Sequence, residues 1–164
     1  MIHIIEGDGK GKTSAAIGIS IRAAGHGFSV LFIQFLKDDG SGEISVMKCI
    51  PEVTICHAPV NYGLTFHMTE QQLEKTAKEC DKLINIAIES EDNLIILDEV
   101  IDALNAGLVD KGKLEQMLQK DKEIVLTGRD APKWLIEKAQ YVSNIQKIKH
   151  PYDNGVIARK GIEY

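Results

Sequence analysis

A glycine-rich stretch close to the start of the chain constrains the fold most strongly. It joins an apolar, β-branched run, Ile2–Ile5, to an apolar helical segment, Thr13–Ala24. Glycine adopts backbone dihedral angles that other residues rarely reach, so consecutive N–H groups can converge on phosphate oxygens beside the positive end of the following helix. The pattern predicts a P-loop that binds the polyphosphate of a nucleotide, ATP in our interpretation. Its residues are Gly7, Asp8, Gly9, Lys10, Gly11, Lys12, Thr13 and Ser14.

Two side chains of this loop carry the predicted chemistry. Lys12 supplies a point charge to the phosphates and is our first catalytic candidate, while the Thr13 hydroxyl is the expected Mg²⁺ ligand. Glu6 departs from the strict pattern G-x-x-x-x-G-K-[ST], which requires glycine at that position. A glycine-rich helix start without a ligand is therefore the weaker alternative.

The rest of the chain alternates between short apolar runs and helical patterns, without a repeat or a linker. Nearly continuous apolar runs are typical of parallel strands that are buried on both faces. The sequence thus predicts a single domain, 1–164, with an α/β, P-loop NTPase-like (RecA-like) fold: a three-layer sandwich around a mainly parallel sheet of about six strands. The strand candidates are Ile2–Ile5, Val30–Phe35, Val53–Cys56, Leu94–Leu97, Ile124–Thr127 and Val142–Ile148.

Three helices have clear sequence signals. Thr69 opens a capping box with Gln72, and an apolar stripe then runs to about Ser90. The helix over 13–24 is apolar nearly all round, so we expect it to be well buried and to stop at Gly25. Pro132 is typical of a first helical turn.

Net charge, the length of the apolar runs and the cysteines disfavour several classes of protein. A net charge of −5 disfavours nucleic acid as a partner, because phosphate contacts need a basic face. No stretch reaches membrane-spanning length, and the run from Met1 into the first strand leaves no room for a secretory leader. Three unpaired cysteines, which we expect to be small buried residues, indicate a cytoplasmic protein.

Polar residues follow the predicted strands, at the sheet edge where such folds bind ligands. Gln34 and Lys37 follow the second strand, and we predict that both contact the nucleotide or the second substrate. Asp98 and Glu99 end the fourth strand, where a carboxylate holds Mg²⁺ directly or through water; the sequence does not decide which is nearer. Arg129 follows the fifth strand and either contacts a phosphate or forms a surface ion pair.

Two long segments, 57–68 and 149–164, lack the regular spacing of apolar residues that marks helices and strands, and are candidate lids or substrate loops. They contain His57, His67 and His150, whose spacing does not fit a zinc site.

Taken in order, these motifs resemble the ATP:corrinoid adenosyltransferase family over almost the whole chain. The resemblance rests on the P-loop, on Gln-Phe-Leu-Lys at 34–37, on Leu-Asp-Glu at 97–99, on Thr-Gly-Arg at 127–129 and on the segment from Lys149 to Tyr164. The family's loop also lacks the first glycine and is similar to G-N-G-K-G-K-T-T. The resemblance implies transfer of the 5′-deoxyadenosyl group of ATP to Co(I) of a corrinoid, with release of triphosphate.

The resemblance also implies roles and partners. The nucleotide is expected to lie reversed, with C5′ presented, and Lys12, Glu99 and Arg129 are the catalytic candidates. A homodimer and an electron-donating flavoprotein reductase are expected partners. Family members often carry an N-terminal extension over the corrinoid, and an F-T-W element for which this sequence offers only Tyr62 and Phe66. We expect these two to approach the cobalt, although loop packing explains them as well.

Two other classes of function fit a P-loop. A kinase or ATPase would act at the terminal phosphate and would need a positioned acceptor or water. A non-catalytic carrier would bind the nucleotide and the corrinoid without turning either over.

Overall fold

Six parallel strands form one sheet in the order β3-β2-β4-β5-β1-β6, as described by a computed structural model of residues 1–37, 40–60, 62–63 and 67–162. Every pair of neighbouring strands is parallel. The strands are β1 (Ile2–Glu6), β2 (Val30–Gln34), β3 (Val53–His57), β4 (Leu94–Asp98), β5 (Glu123–Gly128) and β6 (Tyr141–Asn144). The predicted α/β fold class, with a three-layer P-loop NTPase-like sandwich, is confirmed.

Helices cover both faces of the sheet. They are α1 (Lys12–Ala24), α2 (Gly42–Met47), α3 (Glu70–Glu89), α4 (Val100–Asn105), α5 (Lys111–Met117) and α6 (Lys133–Ile136). A 3₁₀ turn, Pro151–Asn154, follows β6. No helix in the described part of the chain is both long and apolar enough to cross a membrane.

Side chains alternate between the two faces of the sheet along each strand, so the hydrophobic core has two parts, one on each face. In β2, Leu31 and Ile33 pack on the side of α3, α4 and α5, whereas Val30 and Phe32 pack on the side of α1 and α2. Successive side chains of a strand point to opposite faces, so a strand buried on both faces reads as a continuous apolar run. Truncation of a fully buried residue such as Ile84 to alanine would cost about 2–5 kcal/mol.

The long helix α3 confirms its sequence signals. The Thr69 hydroxyl accepts from the Gln72 backbone N–H, and the Gln72 side chain accepts from the Thr69 backbone N–H, so both halves of the capping box are present. The buried positions of the helix recur on one face. Pro132 caps α6, immediately before its first residue.

Three sequence expectations need correction. Helix α1 buries only Ala16, Ser20 and Ala24, and Ile21 is 50% exposed, because only one face of this helix meets the sheet. Strand β6 ends at Asn144 rather than at residue 148, because its partner β1 ends at Glu6 and the chain then crosses the glycine-rich loop. Of the three cysteines, only Cys80 is fully buried and Cys49 is exposed.

Candidate functional site

The glycine-rich loop is held from outside by the segment that follows β6. The Gly9 N–H donates to the Ile145 carbonyl at 2.8 Å, and the Asp8 carboxylate accepts from the Lys147 backbone N–H at 2.9 Å. The hydrogen bond from that N–H is the main cause that lowers the pKa of Asp8, while burial acts in the opposite direction. These contacts connect the loop to the segment after β6 through backbone atoms on both sides.

Glycine is required in this loop for two different reasons. Gly7 and Gly11 have φ values of 113° and 118°, which side chains rarely allow. At Gly9 a Cβ atom would lie 2.7 Å from the Ile145 carbonyl oxygen, so the limitation there is space. At Gly7 the same carbonyl would also collide with a Cβ atom.

Glu6 has a structural role that accounts for its departure from the P-loop pattern. Its carboxylate accepts from the Ala131 backbone N–H at 2.9 Å and from the Asn144 side-chain amide at 3.3 Å. Glu6 thereby connects the end of β1 to the loop after β5 and to the end of β6.

Lys12 begins α1 and folds back over the loop. Its ammonium donates to the Gly7 carbonyl at 2.6 Å and to the Gly9 carbonyl at 3.1 Å. Partial burial lowers its pKa, and the neighbouring Arg129 charge acts in the same direction. The positive charge of Lys12 is therefore held against the glycine-rich loop, beside the cleft that Lys12 lines.

Asp98 is the buried anion of the site. Its Oδ1 accepts from the Thr13 hydroxyl at 3.0 Å and from the Thr127 hydroxyl at 2.7 Å. Its Oδ2 accepts from the Gln34 amide at 3.4 Å. Side chains from α1, β2 and β5 thus converge on the last residue of β4, because the carboxyl ends of parallel strands meet at one edge.

Lys37 joins this cluster from the loop after β2. Its ammonium lies 3.0 Å from Asp98 Oδ2, 3.1 Å from Glu99 Oε1 and 3.0 Å from Thr13 Oγ1. Burial opposes its charge, but the two carboxylates outweigh burial and raise the pKa of Lys37. The pKa of Glu99 is also raised, first by burial and then by the Asp98 charge, with Lys37 opposing both. Two carboxylates share one ammonium, so the cluster has an excess of negative charge.

Glu99 adopts a left-handed backbone conformation, with φ 61° and ψ 16°, at the start of α4. Its N–H donates to the Thr127 hydroxyl at 2.9 Å, which compensates for this conformation. Strained backbone at a ligand-facing sheet edge commonly serves a functional site.

The sequence allowed either a phosphate contact or a surface ion pair for Arg129. The structure shows an ion pair, in which Arg129 Nη1 lies 3.3 Å from Asp102 Oδ1. Asp102 also accepts from the Arg129 backbone N–H at 3.0 Å. Asp102 is not among the predicted site residues, because it lies inside α4 and belongs to no motif. The guanidinium nevertheless lines the same cleft as Lys12.

A cleft of about 620 Å³ opens above this edge of the sheet. Ten of the predicted residues line it: Asp8, Gly9, Lys10, Gly11, Lys12, Thr13, Ser14, Lys37, Glu99 and Arg129. Gly7, Gln34 and Asp98 do not line it, although Gly7 holds Lys12, and Gln34 and Asp98 lie buried within the cluster.

Seven further residues line the cleft that we did not predict as site residues: Ile17, Ser41, Gly42, Glu43, His150, Gly161 and Ile162. The last three belong to the segment 149–164, which the sequence indicated as a candidate lid. Tyr62 does not line this cleft, and Phe66 lies outside the described residues. Their predicted approach to the cobalt stays a prediction.

The oxygen cluster fits a hard divalent cation. The Thr13 hydroxyl and the Asp98 and Glu99 carboxylates already surround one positive charge, the Lys37 ammonium. Hydroxyl and carboxylate oxygens are ligands that Mg²⁺ prefers.

Comparison with known proteins assigns the chain to a family. The sequence profile described as ATP:corrinoid adenosyltransferase BtuR/CobO/CobP matches residues 1–164. A corrinoid adenosyltransferase of Pseudomonas aeruginosa is 31% identical over all of this chain and 82% of its own length. Those of a Sinorhizobium species and of Salmonella typhimurium are 28% and 27% identical, again over the whole chain, and are covered to 80% and 85%. The chain therefore belongs to the ATP:corrinoid adenosyltransferase family.

Proposed function

We propose that this protein transfers the 5′-deoxyadenosyl group of ATP to Co(I) of a reduced corrinoid, cobalamin or cobyrinic acid a,c-diamide, in adenosylcobalamin synthesis. The main support is the family match over the full sequence. It is joined by a cleft in which Lys12, Lys37 and Arg129 are arranged around an open glycine loop.

In the proposed reaction, the electron pair of Co(I) attacks C5′ of ATP and a Co–C bond forms. The C5′–O bond breaks, and its electron pair leaves with the triphosphate. Co(I) is itself a strong nucleophile, so the protein needs no activated serine or cysteine. Its tasks are to orient C5′ for in-line attack and to stabilise the departing polyphosphate.

The charges of the cleft suit a leaving group rather than an attacked phosphorus atom. A P-loop ATPase positions a water molecule with a polar residue near the terminal phosphate. Glu99 is the carboxylate best placed for that task, but its Oε1 is engaged by the Lys37 ammonium at 3.1 Å. Lys12, Lys37 and Arg129 provide positive charge where triphosphate would leave.

Mg²⁺ is the divalent metal that we propose for this site. Thr13 and Asp98 would hold it, with Glu99 close by and phosphate oxygens completing the coordination. When bound, it would neutralise charge on the triphosphate. The loop from Gly7 to Ser14 would bind the polyphosphate through backbone N–H groups other than that of Gly9, which donates to the Ile145 carbonyl, with Lys10 as a further positive charge.

We further propose a cytoplasmic homodimer that accepts electrons for the corrinoid from a flavoprotein reductase. These proposals rest on the family resemblance.

The deciding experiment supplies chemically reduced cobalamin and Mg-ATP under anaerobic conditions. We expect a photolabile Co–C product, measured by absorbance. We also expect one tripolyphosphate for each molecule of that product, measured by ³¹P NMR. ADP and phosphate would instead indicate a kinase or ATPase. Binding of both substrates without any turnover would indicate a carrier. Failure with cobalamin and with cobyrinic acid a,c-diamide would defeat the proposal.

A further inference from the structure

The Lys37 ammonium occupies a position that is built for a cation. It lies between 3.0 and 3.1 Å from three oxygens: Thr13 Oγ1, Asp98 Oδ2 and Glu99 Oε1. The Lys37 side chain is only 23% exposed and Asp98 is fully buried, so water does little to screen this contact. The same oxygens are those proposed to hold or adjoin Mg²⁺.

The hydrogen bonds of Thr13 show why the ammonium and a metal ion compete. A hydroxyl has one hydrogen to donate, and its lone pairs accept hydrogen bonds or bind metals. Thr13 donates that hydrogen to the Asp98 carboxylate and accepts from Lys37. A metal on Thr13 would therefore lie beside the ammonium, and the two positive charges would repel each other at short range.

We expect Asp98 to keep its position when Lys37 is removed, because other side chains also hold its carboxylate. The Thr127 hydroxyl holds Oδ1 at 2.7 Å and the Gln34 amide donates to Oδ2 at 3.4 Å. The Gln34 side-chain NH₂ group faces Asp98. The Gln34 Oε1 atom is buried and has no hydrogen-bond partner among the described residues. Neutral donors from Thr13, Thr127 and Gln34 thus hold the carboxylate, whereas Lys37 comes from the loop after β2.

We propose that Lys37 is the resident counter-ion of the metal site: it fills the oxygen cluster in the nucleotide-free protein, and Mg²⁺ must displace it. This inference rests on the proposed metal site. Once displaced, Lys37 remains on the wall of the cleft that contains the P-loop, where the triphosphate is the available anion. Nucleotide and metal then bind cooperatively, because phosphate draws away the ammonium that blocks the metal.

The test measures metal binding without turnover. Mn²⁺ serves as the probe, and free Mn²⁺ is followed by electron paramagnetic resonance with wild-type protein and with Lys37→Met, each with and without ATP. Because ATP itself binds Mn²⁺, each ATP sample is compared with a protein-free sample at the same ATP concentration. Without nucleotide, we expect Lys37→Met to bind Mn²⁺ at least about tenfold more tightly than wild type, since the competing charge is gone. Asp98→Asn combined with Lys37→Met should abolish this gain.

Lys78→Met is the control. It removes one exposed positive charge on α3, where Lys78 pairs with Glu74, and leaves the Lys37 contacts in place, so its nucleotide-free affinity for Mn²⁺ should change by less than about threefold. If Lys37→Met does not fold, Lys37→Gln, which keeps a donor for Asp98, carries the same expectation.

The outcomes separate the inference from the proposed metal site. If wild-type protein binds no Mn²⁺ even with ATP, the metal site falls and the inference falls with it. If wild type binds Mn²⁺ with ATP but the folded Lys37 variant shows unchanged nucleotide-free affinity, the metal site stands and the displacement inference is overturned.

Discussion

The Glu6 carboxylate accepts the Ala131 backbone N–H at 2.9 Å, across the gap between the end of β1 and the loop that follows β5. In the common P-loop pattern a glycine stands at this position and cannot make such a contact. Here the glutamate joins the glycine-rich loop to the segment that carries Arg129. One carboxylate therefore connects the start of the glycine-rich loop to the backbone that follows Arg129.

Glu6→Ala should destabilise the protein by about 1–2 kcal/mol, because the Ala131 N–H loses its acceptor in a partly buried setting. Glu6→Gln keeps an acceptor oxygen and should recover most of that loss. Urea unfolding of the two variants measures the difference. Equal stability of Glu6→Ala and wild type would show that water replaces the carboxylate at no cost.

The sequence predicted the sheet well because strand signals are local. The apolar runs of β2, β4 and β5 are fully buried, and a run of this kind leaves few other interpretations. Strand β6 was predicted too long, since its end depends on where β1 stops. The exposure of Ile21 was missed because neighbouring elements decide how much of a helix surface is covered.

The candidate site was predicted less completely. Lys12, Thr13 and Asp98 follow from motifs, because phosphate and metal binding require those residue types next to glycines or strand ends. Asp102 and Glu43 carry no such signal, and only the fold brings them to the cleft or to Arg129. Nothing in the spacing of Lys37 predicts that its ammonium reaches both carboxylates.

Gly9→Ala should lower both stability and ATP affinity. The new Cβ atom would lie 2.7 Å from the Ile145 carbonyl oxygen and 2.8 Å from the Gln146 backbone, neither of which is a flexible side-chain end. We expect a loss of about 1–3 kcal/mol in the free energy of unfolding. Gly18→Ala in α1 is the control, since its Cβ meets nothing within 4 Å and a helical alanine should add about 0.5–1 kcal/mol. Equal stability of the two variants would contradict the steric argument.

Lys12→Ala should lower kcat for adenosyl transfer by about 10²–10³-fold, as expected when one group that stabilises developing charge is removed. Its ammonium contacts only two carbonyls of its own loop in the hydrogen bonds described, so the thermal unfolding midpoint should change little. Lys78→Ala on α3 removes an exposed lysine paired with Glu74 and should leave the rate unchanged. Near-normal turnover by a folded Lys12→Ala variant would refute the phosphate role.

The three thiols should react with a disulfide reagent at very different rates. Burial raises the pKa of Cys80 to about 12, so almost no thiolate forms at pH 8 and the reagent has little access. Cys49 is exposed and should react first. Thiol titration of the native protein should therefore show one fast equivalent, which Cys49→Ser removes. Fast labelling of Cys80 would indicate that α3 opens readily.

The free energy of unfolding should fall in acid partly because the carboxylate of Glu123, at the start of β5, becomes protonated. Burial opposes its charge, but hydrogen bonds from His3 and from the terminal ammonium outweigh burial and lower its pKa. A carboxyl whose pKa is lower in the folded state stabilises the protein above its ordinary value and loses that contribution as the pH falls through the folded value. Glu123 is 39% exposed on its side chain, so we expect about 1 kcal/mol or less at pH 7.

Glu123→Gln tests this contribution. Its destabilisation relative to wild type should be measurable by urea unfolding at pH 7 and should shrink toward zero as the pH is lowered below the ordinary carboxyl range, because the wild-type carboxyl then also becomes neutral. Glu137→Gln, directly after α6, changes an exposed carboxylate 3.7 Å from Lys133; it is the control and should show a smaller pH dependence. A difference between Glu123→Gln and wild type that persists unchanged at low pH would mean that Glu123 acts through packing or neutral hydrogen bonds rather than through its charge.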